Sequence, residues 1–514
     1  MELWFILLVS LCLSVLIKSL LSLVWHNRLP PGPLFIPIIS TLYWIRKSSV
    51  EIEPVLRNLH AKHGPIVSFR IFSRPSIFIT DRTLAHQVLV QNGAVFSDRP
   101  KARPTSRLIS SNQRNISSAA YGPLWRLLRR NLTSEILHSS RVKSFSGTRK
   151  WVLDVLLNRL KADSDSGNPV RVVDHFQYAM FCLLLFMCFG DKLDDKKIKD
   201  VERVQRRLDV EFSKLNILNF WPRVTKVLFR KRWEKLLQIR KDQEDVLIPL
   251  IRARKQAKGE KLSKAKQEND PVEFIVSYVD TLLDLELPET EEKLKLDEDE
   301  IITLCSEFLT AGTDTTATAL QWIMANLVKY PHIQERILRE IKGVMGDREE
   351  KEVKEQDLHV LPYLKAVILE GLRRHPPAHF VLPHAVTEDV ILNDYLVPKD
   401  VMINFMVAEM GWDPKVWEDP MAFKPERFLK NGDEPLDFDI TGSKEIKMMP
   451  FGAGRRICPG YDLAMLHLEY FIANLVWNFE WKKPANESDI DLSEKQEFTI
   501  VMKYPLQVHI SPRI

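Results

Sequence analysis

The sequence predicts a mainly α-helical protein with a small β part, organised as one domain behind an N-terminal transmembrane helix. Three features of the sequence predict this fold class. Long segments carry apolar residues at helical spacing, short alternating runs occur at only a few places, and the first 25 residues are almost wholly apolar. With 514 residues the chain can bury a large core, and no repeat or change of composition divides that core into domains.

Residues 1–25 are expected to form a membrane anchor. Residues 3–24 are apolar apart from serines, Cys12 and Lys18, and 21 helical residues span about 31 Å, close to the thickness of the hydrocarbon layer. Trp4 and Trp25 bracket it, as aromatic residues do at lipid interfaces. A cleaved signal peptide is the alternative, but the acidic start, the length and the lack of a small-residue cleavage site oppose it.

A proline-rich hinge is expected at residues 26–40, and a catalytic domain at residues 41–514. The stretch Pro-Pro-Gly-Pro at 30–33 cannot continue a helix and therefore turns the chain away from the membrane. Basic residues after the anchor, Arg28 and Lys47 among them, place the body on the cytosolic side.

Charge and cysteine content limit the classes of function. The net charge of +5 is small for this length, and no basic stripe is interleaved with exposed aromatic residues, so nucleic acid is not an expected partner. The five cysteines are odd in number and lack the spacing of a disulfide framework. A body that faces the cytosol would keep them reduced.

Along the body, the sequence predicts one hairpin and a series of helices. Residues 64–81 alternate around a Ser-Arg-Pro turn and predict a β-hairpin. Short β-like runs recur near 380–405 and at 498–510, and the lysine-rich stretch 252–270 is expected to be a surface loop. Helical spacing is found in the segments 119–138, 149–162, 198–216, 234–257, 270–286, 297–329, 331–345 and 358–373.

A glycine-rich loop near the C-terminus contains a single cysteine. Residues 451–460 read Phe-Gly-Ala-Gly-Arg-Arg-Ile-Cys-Pro-Gly, and a predicted buried helix follows. A Cys458 thiolate can ligate a haem iron, because the glycines let the backbone approach the macrocycle and turn amides toward the sulfur. Arg456 can meet a haem propionate. The alternative is a small apolar cysteine in a turn, but a chance match is rare over the fixed positions Phe451, Gly454, Arg456, Cys458 and Gly460.

The segment 311–316, Ala-Gly-Thr-Asp-Thr-Thr, lies inside a long helical pattern. A threonine hydroxyl that bonds back to a carbonyl would open a local groove for water. The small Ala311 and Gly312 would let a flat cofactor and dioxygen approach the backbone. Without the cysteine loop, the pattern would indicate only a helix-packing seam. One helical face carries Phe308, Ala311, Gly312, Thr315 and Ala319.

Two further pairs have helical spacing. Glu370 and Arg373 lie at i and i+3 on a helix that ends before two prolines, and Arg427 follows in Pro-Glu-Arg-Phe. Trp125 and Arg129 lie at i and i+4. Taken alone, the first pair indicates an ordinary surface ion pair and the second an amphipathic helix.

In their order along essentially the whole chain, these motifs resemble the cytochrome P450 family of haem-thiolate monooxygenases. The details are most similar to plant members of the endoplasmic reticulum, and residues 376–389 (PPAHFVLPHAVTED) resemble plant family 89, subfamily A. The resemblance implies a single P450-type domain that binds haem b (iron protoporphyrin IX) with the thiolate of Cys458 as axial ligand.

The resemblance also implies roles for individual residues. Thr315 would deliver protons during dioxygen activation, and Asp314 would couple this relay to solvent. Glu370, Arg373 and Arg427 would form a structural network behind the cysteine loop. The residues implied to contact the haem are Trp125, Arg129, Ala311, Gly312, His384, Phe451, Gly454, Arg456, Cys458 and Gly460.

The implied reaction inserts one atom of O2 into a small lipophilic substrate and releases the other as water. The chain lacks a G-x-G-x-x-G motif after a strand, so electrons must come from a partner, and the family implies an NADPH–cytochrome P450 reductase that consumes NADPH. Candidates for meeting its acidic surface are Arg126, Arg130, Lys444 and Lys447. The protein would be a single-pass endoplasmic reticulum protein in contact with membrane lipid, with its catalytic domain in the cytosol.

Two alternatives remain for the function. One is an enzyme of the same fold that catalyses a rearrangement or dehydration without a reductase, although such members often lose the pair matching Asp314 and Thr315. The other is a non-catalytic haem-binding membrane protein. The substrate is not identified by the sequence; family resemblance places the pocket-lining segments at 100–121, 215–222, 378–382 and 498–502.

Overall fold

The structure, a computed structural model, describes most of the catalytic body. The described residues are 10, 13–14, 29–33, 49–71, 74–165, 167–219, 221–268, 275–287, 295–346, 348, 351–484 and 489–513. The predicted anchor, apart from residues 10, 13 and 14, lies outside them, as does the predicted hinge apart from residues 29–33.

The body is mainly helical. In chain order, its α-helices are α1 (Ser49–His63), α2 (Arg82–His86), α3 (Gly93–Phe96), α4 (Pro104–Ile109), α5 (Pro123–Glu135), α6 (Ser139–Ser144), α7 (Ser146–Ser164), α8 (Val172–Phe189), α9 (Asp195–Phe212), α10 (Pro222–Leu228), α11 (Arg230–Glu268), α12 (Tyr278–Asp284), α13 (Glu298–Lys329), α14 (Pro331–Met345), α15 (Pro362–Arg374), α16 (Val407–Gly411) and α17 (Tyr461–Asn478). Short 3₁₀ and π turns connect several of them, at Gln87–Gln91, Ser213–Asn219, Glu355–Val360, Pro425–Phe428 and Gly454–Arg456.

The strands are short and form small sheets. They are β1 (Ile66–Ile71), β2 (Arg74–Ile79), β3 (Val170–Arg171), β4 (His384–Ala385), β5 (Val390–Leu392), β6 (Tyr395–Val397), β7 (Met402–Phe405), β8 (Leu429–Lys430), β9 (Glu434–Pro435), β10 (Phe479–Lys482), β11 (Glu494–Gln496), β12 (Ile500–Met502) and β13 (Gln507–Pro512). The sheet orders are β1-β2-β7-β4, β10-β13-β3, β11-β12, β5-β6 and β8-β9.

The chain divides into two compact units, and each unit collects three separate segments. Because both units are discontinuous, no boundary is visible along the sequence. The first unit comprises Met1–Pro100, Ala378–Pro420 and Asp439–Ile457, and the second comprises Lys101–Pro377, Met421–Phe438 and Cys458–Ile514.

The first unit is built on the mixed sheet β1-β2-β7-β4. Strands β1 and β2 are antiparallel with Ile66 opposite Ile79, which confirms the hairpin predicted at 64–81. Strand β7 joins β2 in parallel, and β4 joins β7 antiparallel. Side chains such as Ile403 and Phe405 are fully buried and form the core of this unit.

The proline-rich segment before the body is attached to β1. The backbone N–H of Ser68 donates to the Pro31 oxygen at 2.7 Å, and the Ser68 hydroxyl donates to the Pro30 oxygen at 2.6 Å. A Cβ atom on Gly32 would lie 2.0 Å from the backbone oxygen of Ser68. Leu29 is buried. Residues 29–33 therefore pack on the first unit and do not form an unattached linker.

Helix α8 lies in the core of the second unit and packs along α13. Almost every side chain from Val172 to Phe189 is buried. Because apolar residues occur on nearly all sides of the helix, it has no clear amphipathic spacing, and its sequence does not predict it. Among the described residues it is the one helix long and apolar enough to cross a membrane, but 83% of it is buried inside the protein, as expected of a core helix.

Helix α13 begins and packs for reasons that are visible in the sequence. The Asp297 carboxylate accepts from the Glu300 N–H at 2.7 Å, and the Glu300 carboxylate accepts from the Asp297 N–H at 3.0 Å, which forms a capping box. The predicted helix at 297–329 is confirmed. A Cβ atom on Gly312 would lie 2.7 Å from Leu184 of α8, so glycine lets the two helices approach closely.

Helix α11 extends through the stretch where a loop was predicted. The helix ends at Glu268, so the prediction of a surface loop at 252–270 is wrong for the described part of that stretch. The alanines, lysines, glutamines and glutamates there are good helix formers, and their charges form a solvated helix face. The buried Arg254 fixes the helix to α12 by donating to Asp280 at 2.6 Å.

Glu370, Arg373 and Arg427 meet in the second unit. Arg373 donates through Nε and Nη2 to the two carboxylate oxygens of Glu370, at 2.7 and 2.8 Å, and neither side chain is exposed. Arg427 Nε lies 3.4 Å from the same carboxylate, which also accepts from the Lys424 N–H at 2.8 Å. The pair is thus a buried, two-point interaction and not the surface ion pair that its spacing alone would indicate.

Replacing Gly32 tests the docking of the proline segment. Gly32→Ala places a Cβ atom against the Ser68 backbone, which cannot rotate away, and should destabilise the protein by about 1–3 kcal/mol. Chemical denaturation measures the change. Gly147→Ala is the matched control, because a Cβ there meets nothing within 4 Å. Equal stability of the two variants would contradict the docking.

Replacing Glu370 tests the buried pair. Glu370→Gln keeps the shape of the side chain but leaves the Arg373 cation buried without its counter-ion, so we expect a loss of about 3–5 kcal/mol in unfolding free energy. Glu234→Gln, in an exposed pair with Arg230, is the control and should change little. A Glu370 variant as stable as this control would show that the pair does not hold α15 to the 425–428 turn.

Candidate active site

The cysteine loop turns sharply before Cys458. The Gly454–Arg456 turn precedes it and helix α17 follows, as predicted. Gly454 has φ +70°, and a Cβ atom there would lie 2.0 Å from the backbone oxygen of Leu89. Only glycine combines this left-handed backbone with so close an approach. The fold of the loop itself therefore requires glycine at position 454, with or without a cofactor contact.

The surroundings of the Cys458 sulfur have opposing effects on its charge. Burial raises the pKa of the Cys458 thiol, whereas a hydrogen bond from the Gly460 N–H and the nearby charge of Arg129 lower it, and the net direction is upward. The N-terminus of α17 also favours a negative charge. A thiolate here has favourable neighbours but needs a further positive charge, which a bound iron would supply.

Trp125 and Arg129 lie on α5. The Trp125 Nε1 donates to the Ile116 oxygen at 3.1 Å, so this donor is used within the protein. Burial lowers the pKa of Arg129 and the Cys458 charge raises it. No carboxylate among the described residues forms an ion pair with Arg129, and its guanidinium lies 5.9 Å from the Trp125 ring centre.

His384 and Arg456 lie close together in the first unit. The His384 Nδ1 is 2.7 Å from the Phe96 oxygen, and Arg456 Nε donates to the Ser97 oxygen at 2.8 Å. Burial and the charges of Arg99 and Arg456 lower the pKa of His384 to about 3. Since a carbonyl oxygen only accepts, the neutral ring carries its proton on Nδ1 and presents Nε2 as an acceptor. Of the two, Arg456 is the donor suited to a carboxylate.

Helix α13 exposes a small patch in the middle of its buried length. Ala311 is exposed, whereas the other residues from 300 to 328 are buried or partly buried. The Thr315 hydroxyl donates to the Ala311 oxygen at 2.7 Å, which is the back-bond expected from the sequence. Phe308 and Ala319, predicted on the same face, are buried. A flat group has room beside Ala311. The space that a Cβ atom on Gly312 would occupy is filled by Leu184 of α8.

Asp314 is held by residues that the sequence analysis did not identify. Gln177 Nε2 donates to its carboxylate at 3.4 Å. Burial raises the pKa of Asp314, and Arg206 opposes the shift. An acid with a raised pKa can hold a proton closer to neutral pH, as a relay residue must. Gln177 lies on α8, which has no amphipathic pattern, so only the packing of α8 on α13 reveals its contact with Asp314.

The structure groups the candidate residues within each unit. In the first unit His384 lies with Arg456, and Gly454 and the partly buried Phe451 belong to the same unit. In the second unit Cys458 lies with Gly460 and Arg129. That unit also contains the Ala311–Thr315 back-bond and the Glu370 network.

These features fit a haem ligated by Cys458. The pKa of the partly buried Cys458 thiol is raised, and a bound iron would supply the positive charge that stabilises its thiolate. Arg129 has no carboxylate partner among the described side chains, and a propionate would provide one. Ala311 leaves a small open surface on an otherwise buried helix, against which a macrocycle can lie. The resident chemistry would then be that of a haem with a strongly donating thiolate ligand.

Comparison with known proteins agrees with this reading of the site. The family described as "Cytochrome P450" matches residues 30–510. The chain is 50% identical to cytochrome P450 89A9 of Arabidopsis thaliana, over 99% of this chain and 98% of that protein. It is 31% identical to 5-epiaristolochene 1,3-dihydroxylase of Nicotiana tabacum, over 95% of both chains. It is also 31% identical to isoflavone 3'-hydroxylase of Medicago truncatula, over 97% and 96% of the two chains.

Among solved structures, a zebrafish cytochrome P450 with abiraterone has a TM-score of 0.71 to this protein. The match covers 90% of this chain and 100% of that one at 23% identity, so it shows the fold alone. The family match and the 50% identity to 89A9 support the resemblance to family 89, subfamily A. The chain belongs to the cytochrome P450 family and is a haem-thiolate monooxygenase.

Proposed function

We propose that this P450 is anchored in a membrane and inserts one atom of O2 into a lipophilic small molecule, with electrons from NADPH–cytochrome P450 reductase. The observation that carries the proposal is a ligand cysteine and an acid–alcohol pair in one unit: Cys458, Asp314 and Thr315. Haem, when bound, supplies the activation of O2, which a thiolate ligand promotes.

The residues of α13 supply the protons that this reaction consumes. Reduction of one oxygen atom to water takes two protons and two electrons, while the other atom enters a C–H bond. The Thr315 hydroxyl donates to the Ala311 oxygen and can turn to donate elsewhere. Asp314 is adjacent in sequence, and its raised pKa lets it give a proton and be recharged.

Asp314 and Thr315 support a monooxygenase over a reductase-independent enzyme of the same fold and over a non-catalytic haem-binding protein. A rearrangement or dehydration without a reductase needs no supply of protons to oxygen. A non-catalytic haem-binding protein likewise has no use for an acid that is buried and bonded to Gln177. Burial opposes the charge of Asp314, so this acid lowers stability. A role in the reaction explains why an acid is present at this position.

A reductase is proposed as the electron donor because the sequence has no flavin or nicotinamide fingerprint of its own. In the second unit Arg126 and Arg130 are exposed on α5, and Arg126 lies over the Tyr121 ring. In the first unit Lys444 is exposed, whereas Lys447 pairs with Glu445 at 3.0 Å. Arg126 and Arg130 form no ion pair with a described residue and are therefore better candidates for an acidic partner surface than Lys447.

Membrane attachment in the endoplasmic reticulum, with the body in the cytosol, is proposed from the apolar run at 1–25. A second feature of the described chain supports contact with lipid. Around helix α10, Trp221, Val227 and Leu228 are 78%, 77% and 69% exposed, and basic residues alternate with them. Exposed apolar side chains among lysines and arginines are typical of a segment that lies in a lipid interface.

The substrate class is proposed to be lipophilic. Two of the segments expected to line the pocket expose large apolar side chains: Leu382 is 56% exposed in the first unit and Phe498 is 54% exposed in the second. The names of two relatives describe hydroxylases, which fits insertion of oxygen into such a molecule.

Replacing the ligand cysteine tests the proposed chemistry. Cys458→Ala should abolish the thiolate-type absorption of the reduced carbon monoxide complex, together with NADPH- and reductase-dependent O2 consumption, because the variant lacks the proposed thiolate ligand. Cys182→Ala, which removes a buried thiol of α8, is the control and should keep both signals. A Cys458 variant that retained the spectrum would refute the ligand assignment.

Deleting residues 1–25 tests the proposed anchor. The shortened protein should be extractable by high salt or alkaline carbonate, whereas the full chain should need detergent, as vesicle flotation and fractionation would measure. Residual salt-sensitive binding that disappears in Trp221→Ser would be assigned to the segment around α10. Detergent-dependent attachment of both shortened variants would contradict the anchor.

A further inference from the structure

A small cavity lies beside Asp314 in the second unit. We name it the α9–α13 cavity after the helices that form most of its wall, and it has room for about one water molecule. Its polar lining residues are Glu202, Gln205, Arg206, Thr310, Thr313 and Asp314.

Three of these residues carry a buried polar atom without a hydrogen-bond partner. Within the described part of the chain, Gln205 Nε2, Thr310 Oγ1 and Thr313 Oγ1 have none. The Gln205 amide is oriented by Ser306, whose hydroxyl donates to its oxygen at 2.8 Å, so its nitrogen is the free end. Unpartnered donors are costly to bury, and three around one cavity of this size indicate a bound water.

Charged groups connect this cavity to the protein surface. Gln177 joins Asp314 to Arg206, since it donates to the Asp314 carboxylate at 3.4 Å and accepts from the Arg206 guanidinium. Arg206 in turn lies 3.3 Å from Glu202, one helical turn earlier on α9. The Glu202 side chain is 20% exposed and the Arg206 side chain is 44% exposed. Glu202 thus borders both the cavity and solvent.

One arginine faces two carboxylates in this group. Burial raises the pKa of Glu202, the charge of Asp314 raises it further, and Arg206 opposes the shift. From the neighbouring elements, Arg159 lowers it and Asp174 raises it. Burial and, more weakly, Glu497 raise the pKa of Asp314, which Arg206 and Gln177 lower.

We propose that Glu202, on the solvent side of the α9–α13 cavity, passes protons to Asp314 through water in this cavity. Arg206 and Gln177 orient the Asp314 carboxylate. This inference rests on the proposed function and adds the route by which its protons enter. The Glu202 O–H gives a proton to the cavity water, which passes one to the Asp314 carboxylate. Glu202 then recovers a proton from solvent, so the net transfer is one proton from bulk water to Asp314.

Infrared titration of the ferric holoenzyme tests the shared proton without turnover. The wild type should show C=O absorption of protonated carboxyls above the ordinary glutamate pKa of about 4.3, and groups outside the cavity, such as Glu469, contribute to it. The difference spectrum between wild type and Glu202→Gln should therefore contain a carboxyl band that persists above this pH. Glu211→Gln is the matched control, since Glu211 lies on the same helix and is 22% exposed, close to the 20% of Glu202. A difference spectrum without this band would overturn the proposal.

The rate of NADPH oxidation is a second test. It is measured for the holoenzyme with reductase and without added substrate, over a range of pH, in H2O and in D2O. Glu202→Gln should slow it roughly ten- to a hundredfold, at or below the low end of general acid–base effects, and should increase the solvent isotope effect. Glu202→Asp should restore part of the rate, and Glu211→Gln should match the wild type. Thr315→Ala serves as the reference for a broken relay, with more peroxide released per NADPH.

The outcomes separate this inference from the proposed function. A wild type without reductase-dependent O2 consumption would contradict the proposed function itself. A wild type that turns over, with a Glu202→Gln variant of equal rate, pH profile and isotope effect, would contradict only the proton route. A Glu202→Gln variant with a normal carbon monoxide spectrum and an altered isotope effect supports the route, because a merely structural defect would not change the isotope effect alone.

Discussion

The charge on the Cys458 sulfur is the constraint on which the rest of the structure depends. Burial makes the thiolate unfavourable, and the protein offsets this cost only in part, with the Gly460 amide, the start of α17 and the charge of Arg129. A bound iron would supply the remaining positive charge that stabilises the thiolate. The close approach of Gly454 to Leu89 then fixes the loop that presents the sulfur.

Each unit contributes a guanidinium group to the residues implied to bind haem. In the first unit Arg456 donates to the Ser97 oxygen, and in the second Arg129 has no carboxylate partner among the described residues. His384 stays neutral because burial and two arginines oppose its second proton, so it adds no charge of its own. A guanidinium group remains charged at every physiological pH, which suits it to a propionate.

How much the sequence could predict depended on whether a feature has a local pattern. The hairpin at 64–81, the capping box of α13 and helix α14, predicted at 331–345 and observed at Pro331–Met345, all have local signals. Helix α8 has none, because it is buried on every side. The lysine-rich end of α11 has two competing signals: its charge predicts a loop, whereas its helix propensity favours the helix that the structure has.

The residues of the candidate site also differ in whether a local sequence pattern identifies them. Cys458, Asp314 and Thr315 could be identified because each lies in a short contiguous motif. Gln177 and Glu202 could not, because they meet Asp314 or its cavity only through the packing of α8 and α9 against α13. The cofactor contact predicted for Gly312 stays a prediction, and the packing of this glycine against Leu184 is a further role that only the structure reveals.

The docking of the proline segment on Ser68 would limit the distance between the proposed membrane anchor and the first unit. If the proposed anchor ends at Trp25, four peptide steps lead to the buried Leu29, and these can span at most about 14 Å. With that anchor, strand β1 would lie close to the headgroups on a short tether. The proposed reductase in the same membrane would then meet the enzyme by lateral diffusion, and lipophilic molecules dissolved in the bilayer would travel only a short distance to reach it.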